Sequence, residues 1–389
     1  MASVSPNVPQ GVSQTGDKLL LTPGPLTTSK AVKEAMLHDW GSRDAVFLNA
    51  NKDVLRRIAE LAERAETHVT VPVQGSGTFA VEAMITSFVP RAGKVLICIN
   101  GAYGVRAKRI AEIAGRAVAA LEFPEDKPID PAALDAALAK DKAITHVFMV
   151  QCETTSGVLN PIDALAGIVA KHGRRTLIDA MSAFGALPLS KDCAYDALAA
   201  SSNKNLEGLP GLGYVVCDKA ALAATKGNAT TLVLDLHDQW QGFEKTGQWR
   251  FTPPIHIIMS LAKALDEHAA EGGVAGRGRR YAGNCRILIE GLRKMGFETL
   301  LPDAVQAPII VTVRMPADPK FEFQAFYDRL KDNGYVIYPG KLTVADSFRI
   351  GCIGRIDADQ MRGALAAIAA TLAEMGVTSG APARAQAAE

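Results

Sequence analysis

Three short stretches place reactive or anion-binding residues where an apolar run gives way to a turn. Gln74-Gly75-Ser76-Gly77-Thr78 follows one such run and opens a helical pattern. A helix start offers unpaired N–H groups and partial positive charge, and glycine admits close backbone approach, so a phosphate could sit there. A plain strand-to-helix turn would use the same residues. The stretch lacks the lysine of a Walker loop and the third glycine of a dinucleotide fingerprint. Asp179 ends the apolar run in Leu177-Ile178-Asp179-Ala180-Met181-Ser182, where a carboxylate either caps a turn or faces a ligand. Lys204 follows the apolar run 195–200 and Ser201-Ser202-Asn203, with Gly208, Pro210 and Gly211 beyond. An isolated lysine is ordinarily a solvated surface charge.

Taken together, the three elements match what pyridoxal 5'-phosphate requires. An amine forms a Schiff base, a carboxylate keeps the pyridine nitrogen protonated so that the ring accepts electrons, and a helix start binds the phosphate. To position them, strands are predicted at 69–73, 94–99, 146–151, 176–178 and 213–217, from clustered apolar and β-branched residues. Helices are predicted at 77–88, 103–114, 131–139 and 161–171, with Asp130-Pro131 as a start signal. Apolar strands alternating with helices imply an α/β fold with a mainly parallel sheet covered on both faces, whose ligands gather at the strands' carboxyl ends. From about residue 254 to 295 an Ala-rich helical region is broken by Gly272-Gly273; strands near 309–313, 335–338 and 348–350 and helices near 323–331 and 358–374 follow. The expected organisation is a tail at 1–17, a large cofactor-binding domain at 18–270 whose N-terminal segment contacts the small domain, a smaller α+β domain at 271–376 and a tail at 377–389. Both tails are expected to be flexible.

With 389 residues, 48% hydrophobic and 21% charged, the chain suits a two-domain globular protein. The 42 basic and 41 acidic side chains leave a formal charge of +1, which argues against a broad nucleic-acid or anionic-membrane surface. No apolar run is long enough to span a bilayer, and the first residues read as neither a secretory nor a mitochondrial address, so a cytoplasmic location is expected. Six cysteines without Cys-x-x-Cys spacing read as reduced structural thiols. The seven histidines show no metal-ligand spacing, and no metal is expected. Arg277, Arg279 and Arg280 read as a solvated or interface face of a helix rather than a nucleic-acid site.

The chain resembles the class V aminotransferases of fold type I over roughly residues 18–375. The resemblance rests on Leu20-Leu21-Thr22-Pro23-Gly24-Pro25, Gln74-Gly75-Ser76-Gly77, Asn100-Gly101-Ala102-Tyr103-Gly104, Glu153-Thr154-Thr155-Ser156-Gly157, Asp179-Ala180-Met181-Ser182, Trp249-Arg250-Phe251-Thr252-Pro253, Tyr338-Pro339-Gly340-Lys341 and Phe348-Arg349-Ile350-Gly351. It implies a pyridoxal-phosphate aminotransferase, a homodimer, with 2-aminoethylphosphonate and pyruvate as substrates; another aminotransferase of the class, such as one acting on alanine or serine with glyoxylate, stays open. It also implies roles for individual residues. Lys204 and Asp179 are catalytic, Lys204 as the Schiff-base lysine and proton carrier and Asp179 as partner of the ring nitrogen. Ser76, Gly77 and Thr78 bind the phosphate with Asn203 and Thr252, the last from the partner subunit. Tyr103 stacks on one ring face, Met181 packs beneath the other, and Thr154 bonds the ring hydroxyl. Arg349, and secondarily Arg250, take the anionic end of the substrate. In the family an acidic pair often follows an aromatic where this chain has Trp40-Gly41-Ser42-Arg43-Asp44-Ala45, and Arg43 and Ala45 leave the amino donor open.

Overall fold

Alternate side chains of each central strand enter opposite apolar layers, which is why these runs fold as interior strands rather than as a half-wet sheet. The computed structural model describes residues 10–343 and 345–383. Its central sheet has seven strands in the order His68–Gln74, Leu212–Asp218, Ala197–Ser201, Arg175–Asp179, Ile144–Val150, Lys94–Ile99, Ala117–Glu122. Leu212–Asp218 runs antiparallel to both neighbours and the remaining pairs are parallel. Val71, Ile97, Phe148, Leu177, Ala199 and Val215 face one core. Leu96, Val147, Met149, Ile178, Leu198 and Tyr214 face the other. Each fully buried Val, Leu, Ile, Phe or Met side chain among them contributes about 1.5–3 kcal/mol relative to exposure.

The sheet therefore belongs to a mainly parallel α/β architecture, as the alternation of runs predicts. Helices Gly77–Phe88 and Ala102–Ile113 cover the first core; Ala45–Leu61, Pro131–Lys140, Ile162–Lys171 and Ile255–Ala270 cover the second. Asp130 caps its helix by accepting from the Ala132 N–H at 3.0 Å, ahead of Pro131. The helix Ala45–Leu61, the helix Leu236–Thr246 and the edge strand Ala117–Glu122 are elements that the apolar runs do not announce. That strand is half wet and sits at the sheet edge, and the first helix mixes polar residues through its length.

A third core gathers around the antiparallel strands Ile310–Arg314, Ser347–Gly351 and Tyr338–Pro339 with helices Phe323–Asp332 and Ala358–Met375 and the end of Gly273–Lys294. Leu19 and Leu21 join this core, and Leu19–Leu20 pairs in parallel with Tyr335–Val336. The described parts of both expected tails are held in place. The Gly11 N–H donates to Asn333 O at 3.0 Å, and the Ala317 N–H donates to Ala381 O at 2.8 Å. The remainder of those tails, 1–9 and 384–389, lies outside the described residues.

The helix Gly273–Lys294 departs from the expected basic surface. Arg279 is exposed, but Arg277 has no exposed area and Arg280 is half-buried. Sequence spacing alone hid this, because the carboxylates that pair with them lie at Glu207 and Glu271. No helix among the described residues is long and apolar enough to cross a membrane.

Candidate active site

The parallel strands deliver their carboxyl ends to one edge, and most of the expected residues arrive there. Asp179 ends its strand, is 5% exposed, and accepts the Met181 N–H at 2.9 Å. Burial lifts its pKa to about 6, with Glu153 adding to the rise and Lys204 and Arg106 opposing it. Lys204 lies in the connection after Ala197–Ser201. Its Nζ donates to Pro23 O at 2.7 Å and to Gly24 O at 3.3 Å. Burial lowers its pKa to about 8, Asp179 pulls it back up, and Lys341 and Arg349 depress it further. A lysine poised this low is neutral often enough near physiological pH to serve as a nucleophile or base.

Ser76 is the N-cap of Gly77–Phe88, and its side chain makes no capping bond. The hydroxyl and the first N–H groups of the helix are thus available to an anion. A Cβ on Gly77 would stand 2.2 Å from Met181 Sδ, so the phosphate turn and Met181 pack directly against each other. Gly24 has φ +104, and a Cβ there would fall 2.9 Å from Lys204 Nζ; a glycine leaves the amine its room. Thr78 Oγ1 accepts from Arg106 Nη1 at 3.2 Å, and the Arg106 guanidinium lies 5.0 Å from the Tyr103 ring centre. Asn203 Oδ1 accepts from Ser201 Oγ at 3.0 Å.

Arg349 is 3% exposed. Its Nε donates to Pro339 O at 3.1 Å and its Nη1 to Thr154 O at 2.8 Å, which ties it to the loop carrying Thr154. Among the described residues no carboxylate pairs with it, and burial lowers its pKa. A buried cation without an anion is costly, and an anionic ligand would remove that cost.

Thr252 lines a cavity with Gln74, Gly75 and Phe79, beside the start of Gly77–Phe88, and Arg250 is held by neighbouring groups. Arg250 donates to Leu232 O, Asp235 O and Gln239 Oε1, and stacks over Phe251 at 5.2 Å. Thr252 is exposed beside Phe251. Arg43 is exposed just before the helix Ala45–Leu61.

Three further residues belong to this edge. Lys341 Nζ lies 5.2 Å from the Tyr103 ring centre. Arg106 sits one helical turn after Tyr103, a spacing that could have flagged it. Glu153 is fully buried, accepts from the Tyr103 N–H at 3.2 Å, the Thr155 N–H at 3.0 Å and the Thr155 hydroxyl at 2.6 Å, and is pushed to a raised pKa by that burial.

The six cysteines are free and buried. Asp235, His237 and Asp238 bring one ligand atom each within 4.8 Å of one another, a convergence the histidine spacing did not suggest. The cap bond from the Asp238 N–H to Asp235 and the Arg250–Asp238 contact account for it.

The donor set fits pyridoxal 5'-phosphate: an amine, a buried carboxylate without a cation of its own, a free helix start and an aromatic ring share one edge. The sequence pattern of the family described as Aminotransferase class-V matches residues 30–332. The 2-aminoethylphosphonate–pyruvate transaminases of Pseudomonas fluorescens and Burkholderia ambifaria are each 50% identical over 362 residues, 93% of this chain and 98% and 97% of theirs. Pyridoxamine-pyruvate aminotransferase from Mesorhizobium loti superposes with a TM-score of 0.85 at 25% identity, covering 94% of this chain and 96% of that one. Alanine–glyoxylate aminotransferase from Nostoc shares the fold, with a TM-score of 0.84 at 24% identity, covering 95% and 97%. With this match spanning most of its length, the chain belongs to the class-V aminotransferase family, whose cofactor is pyridoxal 5'-phosphate.

Proposed function

We propose that the chain transfers the amino group of 2-aminoethylphosphonate to pyruvate, giving phosphonoacetaldehyde and L-alanine in the breakdown of phosphonates. The observation that carries this reading is Arg349, a buried guanidinium without a carboxylate that shares the edge with Lys204. Both substrates are anions with a reacting carbon a short distance from the charge, and one planar fork can hold either in turn. The half-identical relatives that bear this activity in their names support the same choice.

When bound, the cofactor supplies an aldehyde carbon at which amines exchange and a ring that accepts the electrons freed at the substrate carbon. Lys204 Nζ would anchor it covalently. Freed by the donor's amine, Nζ would take the proton from the carbon bearing that amine and return it to the carbon to which Nζ had been joined; burial, which already lowers its pKa to about 8 in the cofactor-free chain, favours the neutral amine this needs. Asp179 would face the ring nitrogen and hold its proton. Ser76, Gly77 and Thr78 bind the phosphate, with Asn203 and Thr252 of the partner subunit. Tyr103 would cover one ring face, Met181 the other, and Thr154 would bond the ring hydroxyl. Arg250 is the weaker candidate for a second positive charge on the phosphonate. One site serving donor and acceptor in turn implies ping-pong kinetics.

The reading includes a large unit at 18–270 and a small one at 271–376, a homodimer, and a cytoplasmic location. Exposed Phe79, Leu232, Val233 and Phe251 near Thr252 support the dimer, because large apolar side chains gathered on a surface mark an interface. A desulfurase on the same fold needs a mobile nucleophilic thiol, and the burial of the six cysteines speaks against it.

The test is a panel of 2-aminoethylphosphonate, alanine and serine as donors, following cofactor absorbance and alanine formed from pyruvate. Bleaching by the phosphonate, reversed by pyruvate, is expected; half-reactions with the amino acids alone would overturn the substrate, and a borohydride adduct on a lysine other than Lys204 would overturn the site.

A further inference from the structure

The helix Gly273–Lys294 grips the Lys204 turn through a closed set of two arginines and two glutamates. Glu207, 2% exposed, receives Arg280 Nη2 at 2.7 Å, the Tyr281 hydroxyl at 2.7 Å and Arg277 Nη1 at 3.4 Å. Glu271 receives Arg277 Nε and Arg280 Nε, each at 2.7 Å. The same Arg277 donates to the Asn205 carbonyl. Glu207 also closes the turn by its backbone, since its N–H donates to Lys204 O at 2.8 Å. Its φ of +57 lies in the left-handed region that residues with a Cβ seldom adopt, so the surrounding contacts must hold it there.

The grip extends to the substrate side. Arg280 Nη1 donates to Gly354 O at 2.5 Å and Ile356 O at 2.9 Å, and the Gly354 N–H donates to the Tyr281 hydroxyl at 3.2 Å. Residue 354 lies just beyond Ser347–Gly351, the strand that carries Arg349. The next residue, Arg355, donates its N–H to Thr27 O at 2.7 Å, close in sequence to the Pro23 and Gly24 carbonyls that hold Lys204 Nζ. Two residues that must meet one substrate are thus linked through Glu207, the member of the set that lies on the Lys204 turn itself, with Glu271 bridging the same two arginines from the other side.

We propose that Glu207 is a positioning residue for the transamination: by joining Arg277, Arg280 and Tyr281 to the Lys204 turn, it sets where the amine stands relative to the Arg349 strand. This rests on the reading in which Lys204 carries the cofactor and Arg349 grips the substrate. A cluster serving stability alone would influence melting and leave the amine's chemistry untouched, which separates the two roles.

The experiment compares the parent with Glu207→Asp, which keeps the charge but withdraws it by one methylene, and with Glu207→Gln. Kinetics with 2-aminoethylphosphonate and pyruvate are paired with pH-dependent labelling of Lys204, read by peptide mass, in the cofactor-free full chain. In both variants kcat is expected to fall by about tenfold or more, because small misplacements of a reacting group are costly. The KM for pyruvate should stay within about twofold of the parent, as the Arg349 contacts remain. The Lys204 labelling midpoint should rise from about 8 toward an ordinary lysine value as the amine reaches solvent. A lowered melting temperature with parental kcat and labelling midpoint in Glu207→Asp would overturn the proposal, and so would parental values in both variants. If the parent itself shows no borohydride adduct at Lys204, the functional reading fails, while the labelling arm still reports whether Glu207 governs the amine.

Discussion

Replacing Arg349 by Gln should separate substrate grip from fold integrity. Of the five N–H groups of its guanidinium, two serve Pro339 O and Thr154 O, leaving three for the oxygens of a substrate anion. Hydrogen bonds to charged groups contribute roughly 1.5–3 kcal/mol each, so losing two lowers kcat/KM by at least about a hundredfold. Gln can still donate to one of the two carbonyls, and it removes a cation whose burial already disfavours the charged form. The melting temperature should therefore change little. The assay follows bleaching of the bound cofactor in the donor half-reaction, without pyruvate, with 2-aminoethylphosphonate and, as a control, with ethylamine, a donor without the anionic end. The loss should be large with the phosphonate and small with ethylamine. An equal loss with both donors would place Arg349 in cofactor or fold support, and an unchanged phosphonate kcat/KM would remove it from the site.

Asp179→Asn should stabilise the cofactor-free chain in a pH-dependent way. The folded state binds this proton up to about pH 6 and the unfolded chain only up to about 3.8, so stability falls as pH rises between those values and the penalty is complete above about 6. Removing the charge should recover at most about 3 kcal/mol at pH 7 and nothing near pH 3.5, as read by denaturant melts, while transaminase activity is lost. A variant no more stable than the parent at pH 7 would contradict the buried, uncompensated carboxylate. Gly77→Ala should push Met181 from its place against the phosphate turn and weaken cofactor binding by about tenfold with a small effect on melting, measured by fluorescence titration; unchanged affinity would deny the close packing. Phe251→Asp should shift the chain toward monomer in light scattering and reduce cofactor retention together, and a dimeric variant would remove this face from the interface.

Lys204, Asp179 and the Ser76 turn were legible because each follows a buried strand, and strand-following loops at one sheet edge are a local pattern. The same logic recovered Lys94–Ile99 and Gly77–Phe88 to the residue. The burial of Arg277 is hidden from the sequence for the opposite reason: its partners, Glu207 and Glu271, come from other elements, and helical spacing says nothing about what lies across a fold. The edge strand Ala117–Glu122 escaped because a half-exposed strand lacks the continuous apolar run of its interior neighbours. Arg349 needed the family resemblance, since one arginine on a short strand carries no local sign that its side chain is buried without a counterion.

The antiparallel course of Leu212–Asp218 has a bearing on how this region can vary. The chain leaves Ala197–Ser201, passes Lys204, and returns at once beside the strand it left, with Gly213 opposite Ser201 and the Gly75 N–H bonded to Gly211 O. Both ends of this hairpin are nailed to ladder rungs, so an inserted or deleted residue there would move the lysine outright instead of being absorbed by a slack crossover. Divergent descendants of this chain should tolerate length changes at the opposite edge of the sheet while keeping the span from 202 to 211 at constant length.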